Sequence, residues 1–191
     1  MKNLSTGKIV LFGVLGAVLI FIISLFSSYN KIVSLKENVN GKSADISTQL
    51  QRRADLVPNL VSTVKGYASR ETEIMTQISD ARAKLAGAGS LTEKGQANTE
   101  LSGALSRLLV VVENYPNLKS DSQFTHLMDE LAGTENRISV SRRDYNNSVK
   151  EYNQKIKEFP TVILANMSGF SEAEYFQADE GSKKAPSVSF S

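Results

Sequence analysis

The stretch DSQFTHLMDELAGTENRISVSRRDYNNSVKEYNQKIKEF, residues 121–159, decides the fold. Phe124, Leu131, Ile138, Tyr145, Tyr152 and Phe159 recur every seven residues, with Met128, Val149 and Ile156 at the intervening places. Seven residues make two turns of α-helix, so the spacing predicts one amphipathic helix about 57 Å long at the usual rise per residue. A seam of that length calls for facing helices, and the rest of the chain offers them.

From Leu56 to Leu85, the residues Leu60, Val64, Tyr67, Glu71, Ile74, Ile78, Ala81 and Leu85 alternate steps of four and three, which predicts a second long helix over the whole stretch. Leu101, Leu105, Leu108, Val112 and Tyr115 give a shorter one after a turn at Gly87, Gly89 and Ser90. Thr92 and Glu93 suit its start, and Tyr115-Pro116-Asn117 stops it. Upstream, Tyr29, Ile32, Val39, Ile46, Leu50, Arg53 and Val57 form a stripe of the same kind. Pro58 is expected to kink the chain or to restart it as the first turn of the next helix. After Pro160 a short apolar piece, residues 161–167, precedes Gly169. A short strand is expected near residues 187–190, inside a disordered tail spanning 179–191.

Residues 9–26 read IVLFGVLGAVLIFIISLF, eighteen residues with no charge and a single hydroxyl, Ser24. That length sits at the lower edge of the roughly 17 to 25 residues that cross a bilayer as a helix. The run exceeds the roughly 7 to 15 residues of a signal-peptide core, and Ser27-Ser28-Tyr29-Asn30 offers no small-x-small cleavage site. An uncleaved anchor is therefore expected over residues 1–28, with the bundle over 29–178. No proline separates anchor from stripe, so the first bundle helix is able to continue the membrane helix. Lys2 and Lys8 stand on one side of the run and Lys31, Lys36 and Lys42 on the other, counts too close to assign an orientation. The fold class read from the chain is all-α: a single N-terminal transmembrane helix followed by an elongated antiparallel four-helix bundle.

Composition narrows the function. All 20 acidic residues and 20 of the 22 basic ones follow Phe26, so the exposed part is formally neutral and lacks the basic surplus of a nucleic-acid binder. With no cysteine, disulfides, thiolate metal sites, thiol catalysis and S-lipidation are excluded. His126 is the only histidine, off the seam, which leaves no Ser-His-Asp arrangement and no credible zinc or iron site. Gly87-Ala88-Gly89 leads to Ser90 rather than a phosphate-binding lysine, so a turn is the reading there. No catalytic residue, metal or cofactor is assigned, and the chain is not read as an enzyme.

The blocks QRRADLVPNLVSTVKGY (51–67), ENYPNLKSDSQF (113–124) and TENRISVSRRDYN (134–146), with Tyr152-Asn153, Phe159-Pro160 and Tyr175-Phe176, closely resemble the bacterial LemA family. The resemblance spans nearly the whole chain. It implies one N-terminal membrane helix, an antiparallel helical bundle and a bacterial inner-membrane location, and no known activity. Through a relative on magnetosome membranes it also implies work in membrane organisation or remodelling.

Two groups of residues stand out within these blocks. Arg53, Glu71, Glu135 and Arg142 occupy seam places normally given to apolar side chains, and two acids and two bases on facing seams are able to pair as a structural charge network. Arg52, Asp55, Pro58 and Asn59 on one side and Tyr115, Pro116 and Asn117 on the other read as turns that fix the chain or offer a binding surface. Expected partners are the lipid bilayer and further copies of the chain as a homo-oligomer, in a scaffolding role. The alternative is an accessory subunit that binds a membrane enzyme or transporter.

Overall fold

The computed structural model describes residues 6–176, and all their regular structure is helical. The elements are α1 (Thr6–Tyr67), α2 (Thr72–Gly87), α3 (Leu91–Val112), α4 (Pro116–Lys119), α5 (Ser122–Lys157) and α6 (Thr161–Met167). The expected tail, its short strand and residues 177–178 lie outside the described residues. The chain divides into two compact units. Among the described residues, the first holds residues 6–41 with Asn147–Glu174, and the second holds Lys42–Asn146 with Tyr175 and Phe176.

Two regimes of one helix are visible in α1. Its large apolar side chains from Leu11 to Phe26 are exposed, except Leu25, which is half-buried. Further along, Ile32, Leu35, Val39, Ile46, Leu50, Val57, Leu60 and Val64 are buried at helical spacing. This is the one helix among the described residues long and apolar enough to cross a membrane. Pro58 lies inside α1, so the helix does not restart there. Proline lacks the N–H that would bond the Ala54 carbonyl. Arg82 of α2 reaches that carbonyl instead, donating from Nε at 3.4 Å. Arg82→Met is expected to cost about 1 kcal/mol in the native background and to be nearly neutral once Pro58→Ala restores the helical donor. A double-mutant cycle of urea melts measures the coupling, and additive costs would sever the two residues.

The periodic stretch 56–85 is not one helix. It breaks between Tyr67 and Thr72, and Ala68 rather than Tyr67 takes the buried place, while Tyr67 is exposed. Apolar periodicity runs through the corner because the corner is itself partly apolar. Its signal is the weak helix formers Gly66 and Ser69. At α3 the cap is Ser90, not Thr92. Ser90 Oγ accepts the Glu93 N–H at 3.1 Å, and the Glu93 carboxylate accepts the N–H groups of Gly89 at 2.8 Å and Ser90 at 3.0 Å. These donors hold the Glu93 carboxyl below its usual range.

Along α5, Phe124, Leu131, Ile138, Tyr145 and Tyr152 are buried as their spacing requires. Phe159 departs from the seam. The helix ends at Lys157, and Phe159 is 81% exposed. At the other end Asp121 precedes α5 and accepts the Phe124 N–H at 2.8 Å. In the second unit α1 and α5 run antiparallel, as contacts pairing Gln49 with Arg137, Arg52 with Glu130 and Tyr67 with Asp121 require. The α2 and α3 helices pack against each other there.

Candidate functional site

The polar centre of the second unit is Arg53. Its place in the stripe of α1 carries it inward, to 4% exposure. Its guanidinium donates to Asn98 Oδ1 of α3 at 2.6 Å and forms an ion pair with Glu135 of α5. Asn98 Nδ2 donates to the same carboxylate at 3.4 Å, so one residue from each of three helices meets here. Burial first, and then the nearby Arg142 guanidinium, pull Arg53 down to about 10. It stays charged across the neutral range. The carboxylate of Glu135 reaches the surface with about a third of its side chain, so the cluster opens to solvent on one side.

Of the four charged seam residues, this brings together Arg53 and Glu135, with Arg142 close enough to act on Arg53. Arg142 faces the ring of Phe176, with Cζ 4.5 Å from the centroid. Phe176 also lies on α3 at Gly95, where an added Cβ would come within 2.7 Å of the ring. Gly95 is thus the seat of that ring. Glu71 is elsewhere, at the start of α2, where it accepts the Tyr115 hydroxyl at 2.8 Å and raises that phenol's pKa.

The expected turn residues fall on two different elements. Arg52, Asp55, Pro58 and Asn59 lie within α1 rather than at a bend, and α1 continues beyond them to Tyr67. Arg52 pairs with Glu130 at 2.9 Å, and Asp55 accepts from Gln51 at 2.8 Å. The Asn59 carbonyl accepts the Thr63 hydroxyl at 3.0 Å. Tyr115, Pro116 and Asn117 form the entry to α4, with Pro116 in its first turn and the Asn117 carbonyl accepting from Ser120 at 3.2 Å. His126 is exposed, and among the described residues no three His, Asp or Glu side chains gather to hold a metal.

An arrangement not anticipated from spacing follows α6. The chain turns back at Gly169, whose φ of 73° suits glycine, and runs as a strap along α5. In the first unit Tyr152 donates its hydroxyl to the Ser171 carbonyl at 2.9 Å, and the Asn153 amide pairs with both backbone groups of Ala173, at 2.8 and 2.9 Å. In the second unit Asn146 does the same for Phe176, at 2.8 and 3.0 Å. A strand would satisfy such groups with another strand. Here two asparagines one heptad apart stand in for it.

This is a structural constellation, with clamps and an internal ion pair and no assembled nucleophile, base or metal cage among the described residues. Residues 42–190 match the profile of the LemA family. The chain belongs to that family. Magnetosome protein MamQ 2 of Paramagnetospirillum magneticum is 32% identical over 187 residues, which covers 84% of this chain and 69% of the relative. Magnetosome protein MamQ of Magnetospirillum gryphiswaldense is 31% identical over 182 residues, 82% of this chain and 67% of the relative. Protein LemA of Metamycoplasma hominis is 24% identical over 152 residues, 79% of this chain and 69% of the relative. LemA membership and the bare apolar start of α1 together make this a membrane-associated protein.

Proposed function

We propose that this LemA-family chain is a non-catalytic structural protein, anchored in the bacterial inner membrane by α1, which self-associates and thereby organises or reshapes the bilayer that holds it. The observation that carries the reading is α1 itself, one helix from Thr6 to Tyr67 that starts as an uncovered apolar run and continues as a buried seam. A flexible tether only limits distance, whereas an uninterrupted helix carries tilt and rotation from the apolar run into the seam that begins at Ile32, Leu35 and Val39. Self-association is supported by Leu109 and Val110, neighbouring apolar residues left exposed on α3, and by the formal neutrality of the exposed part, which limits self-repulsion.

Crosslinking the full-length chain in native membranes, followed by particle imaging of the detergent extract, tests the proposal. Ladders of the chain with itself and closed or filamentous assemblies are expected. A monomer in both experiments removes the scaffold. A stoichiometric foreign protein in its place makes the chain an accessory subunit.

A further inference from the structure

In the first unit, one short helix has no evident reason to be as apolar as it is. Residues 159–171, FPTVILANMSGFS, contain no charge. α6 buries Thr161 and Ala165 against protein, yet Ile163 and Met167, one helical turn apart, point away at 49% and 81% exposure, and Phe159 just before them is equally bare. The acids that bracket the stretch are each paired. Glu158 takes Lys155 at 3.0 Å, and Glu172 takes Lys157 at 2.7 Å.

The neighbour of α6 is the end of the apolar run of α1. Leu164 lines a wholly apolar groove of about 330 Å³ with Ile22, Leu25, Phe26 and Tyr29 of α1. Ile22 to Phe26 are the last turn of the chargeless run, so α6 stands at the level where α1 leaves the hydrocarbon. Aromatic side chains mark the same level. Tyr29 and Phe170 have their ring centroids 5.8 Å apart, and Lys36 Nζ lies 5.8 Å from the Phe170 ring on the far side of the run. The chargeless run of α1 is itself about 27 Å long, slightly less than a hydrocarbon core of about 30 Å. Extra apolar surface beside its exit fits that shortfall.

We infer that α6 is a second membrane-contacting element, a short wedge that lays Phe159, Ile163 and Met167 into the acyl-chain boundary of the leaflet from which α1 emerges. The occupant of the face is lipid. A wedge in one leaflet adds area to that leaflet alone, which gives an anchored chain a direct means of favouring curvature. The inference rests on α1 being the anchor, and the test keeps the two separable.

The chain has no tryptophan, so single tryptophans report cleanly. Full-length Met167→Trp, Phe21→Trp and, as an exposed control, His126→Trp are reconstituted in phosphatidylethanolamine/phosphatidylglycerol vesicles with and without lipid carrying a nitroxide near the top of its acyl chain. Met167→Trp is expected to emit at shorter wavelength than His126→Trp and to lose more than half of its emission to the nitroxide lipid, while His126→Trp loses none. Phe21→Trp, inside the anchor, is expected to be quenched as well. Quenching at Phe21→Trp without quenching at Met167→Trp overturns the wedge and leaves the anchor standing. A blue-shifted but unquenched Met167→Trp overturns it too, because the face is then covered by protein. An unquenched Phe21→Trp removes the anchor, and the wedge with it.

Discussion

Replacing Glu135 with leucine is expected to lower the stability of the bundle by about 2–3 kcal/mol, below the usual cost of breaking a buried pair because Glu135 stands at the rim. The reasoning starts at Arg53, which is 4% exposed and cannot turn outward without leaving the seam of α1. Its Nε has no hydrogen-bond partner among the described residues, so Asn98 and Glu135 carry its solvation. Deleting the carboxylate leaves Asn98 alone against a full positive charge, with Arg142 close enough to add to it. Changing the pH offers no escape in the neutral range. The folded-state value of about 10 lies below the ordinary guanidinium range, so stability rises only as pH climbs from about 10 toward that range, and below that window the cost of the buried charge is complete.

The double variant Arg53→Met/Glu135→Leu should recover most of the loss, because it removes charge and partner together. Lys150→Ala, on the exposed face of α5, should stay within about 0.5 kcal/mol of the parent. Urea melts of the four proteins decide the matter. A Glu135→Leu midpoint equal to that of Lys150→Ala would mean that the pair is not part of what holds three helices together.

What the sequence disclosed and what it hid follow from the same physics. A strict seven-residue repeat of large side chains survives in the fold because every member from Phe124 to Tyr152 faces protein. It overran at Phe159, since periodicity counts apolar side chains and cannot tell one facing protein from one left bare by the end of the helix. The corner at 68–71 was hidden because Ala68 continues the apolar stripe across it. Arg53 and Glu135 were readable as charges in a seam; their mediator was harder. Asn98 sits three residues before Leu101 in the stripe Leu101, Leu105, Leu108 and Val112, so a polar side chain at a buried step was its only trace. Arg82 and Gly95 left no trace of that sort. One answers a carbonyl freed by a proline on another helix, and the other makes room for a ring far along the chain.

The strap is the second place where a single change should have a large effect, and there the loss should be local. Asn153 is buried on α5, and its amide satisfies the N–H and the C=O of Ala173 at once. Asn153→Leu keeps the branched shape with two methyls in place of the amide oxygen and nitrogen and removes both bonds, so the Ala173 amide is expected to lose about 2 kcal/mol of protection, roughly a thirtyfold faster exchange. The helices should be affected less, since Tyr152 still donates to Ser171 and the Asn146 pairing with Phe176 is untouched. Gly95→Ala attacks the same strap from the opposite side by pushing the Phe176 ring off α3 and away from Arg142. Limited proteolysis should then cut both variants between Gly169 and Phe176 before any helix is cleaved. Unchanged exchange at Ala173 in Asn153→Leu would mean that packing, not the amide pairing, holds the strap. If instead only the strap is freed, α6 loses its tie to α5 on that side while Leu164 stays against α1. Under the wedge proposed for α6, the strap is then the brace that keeps its apolar face at the depth of the acyl-chain boundary.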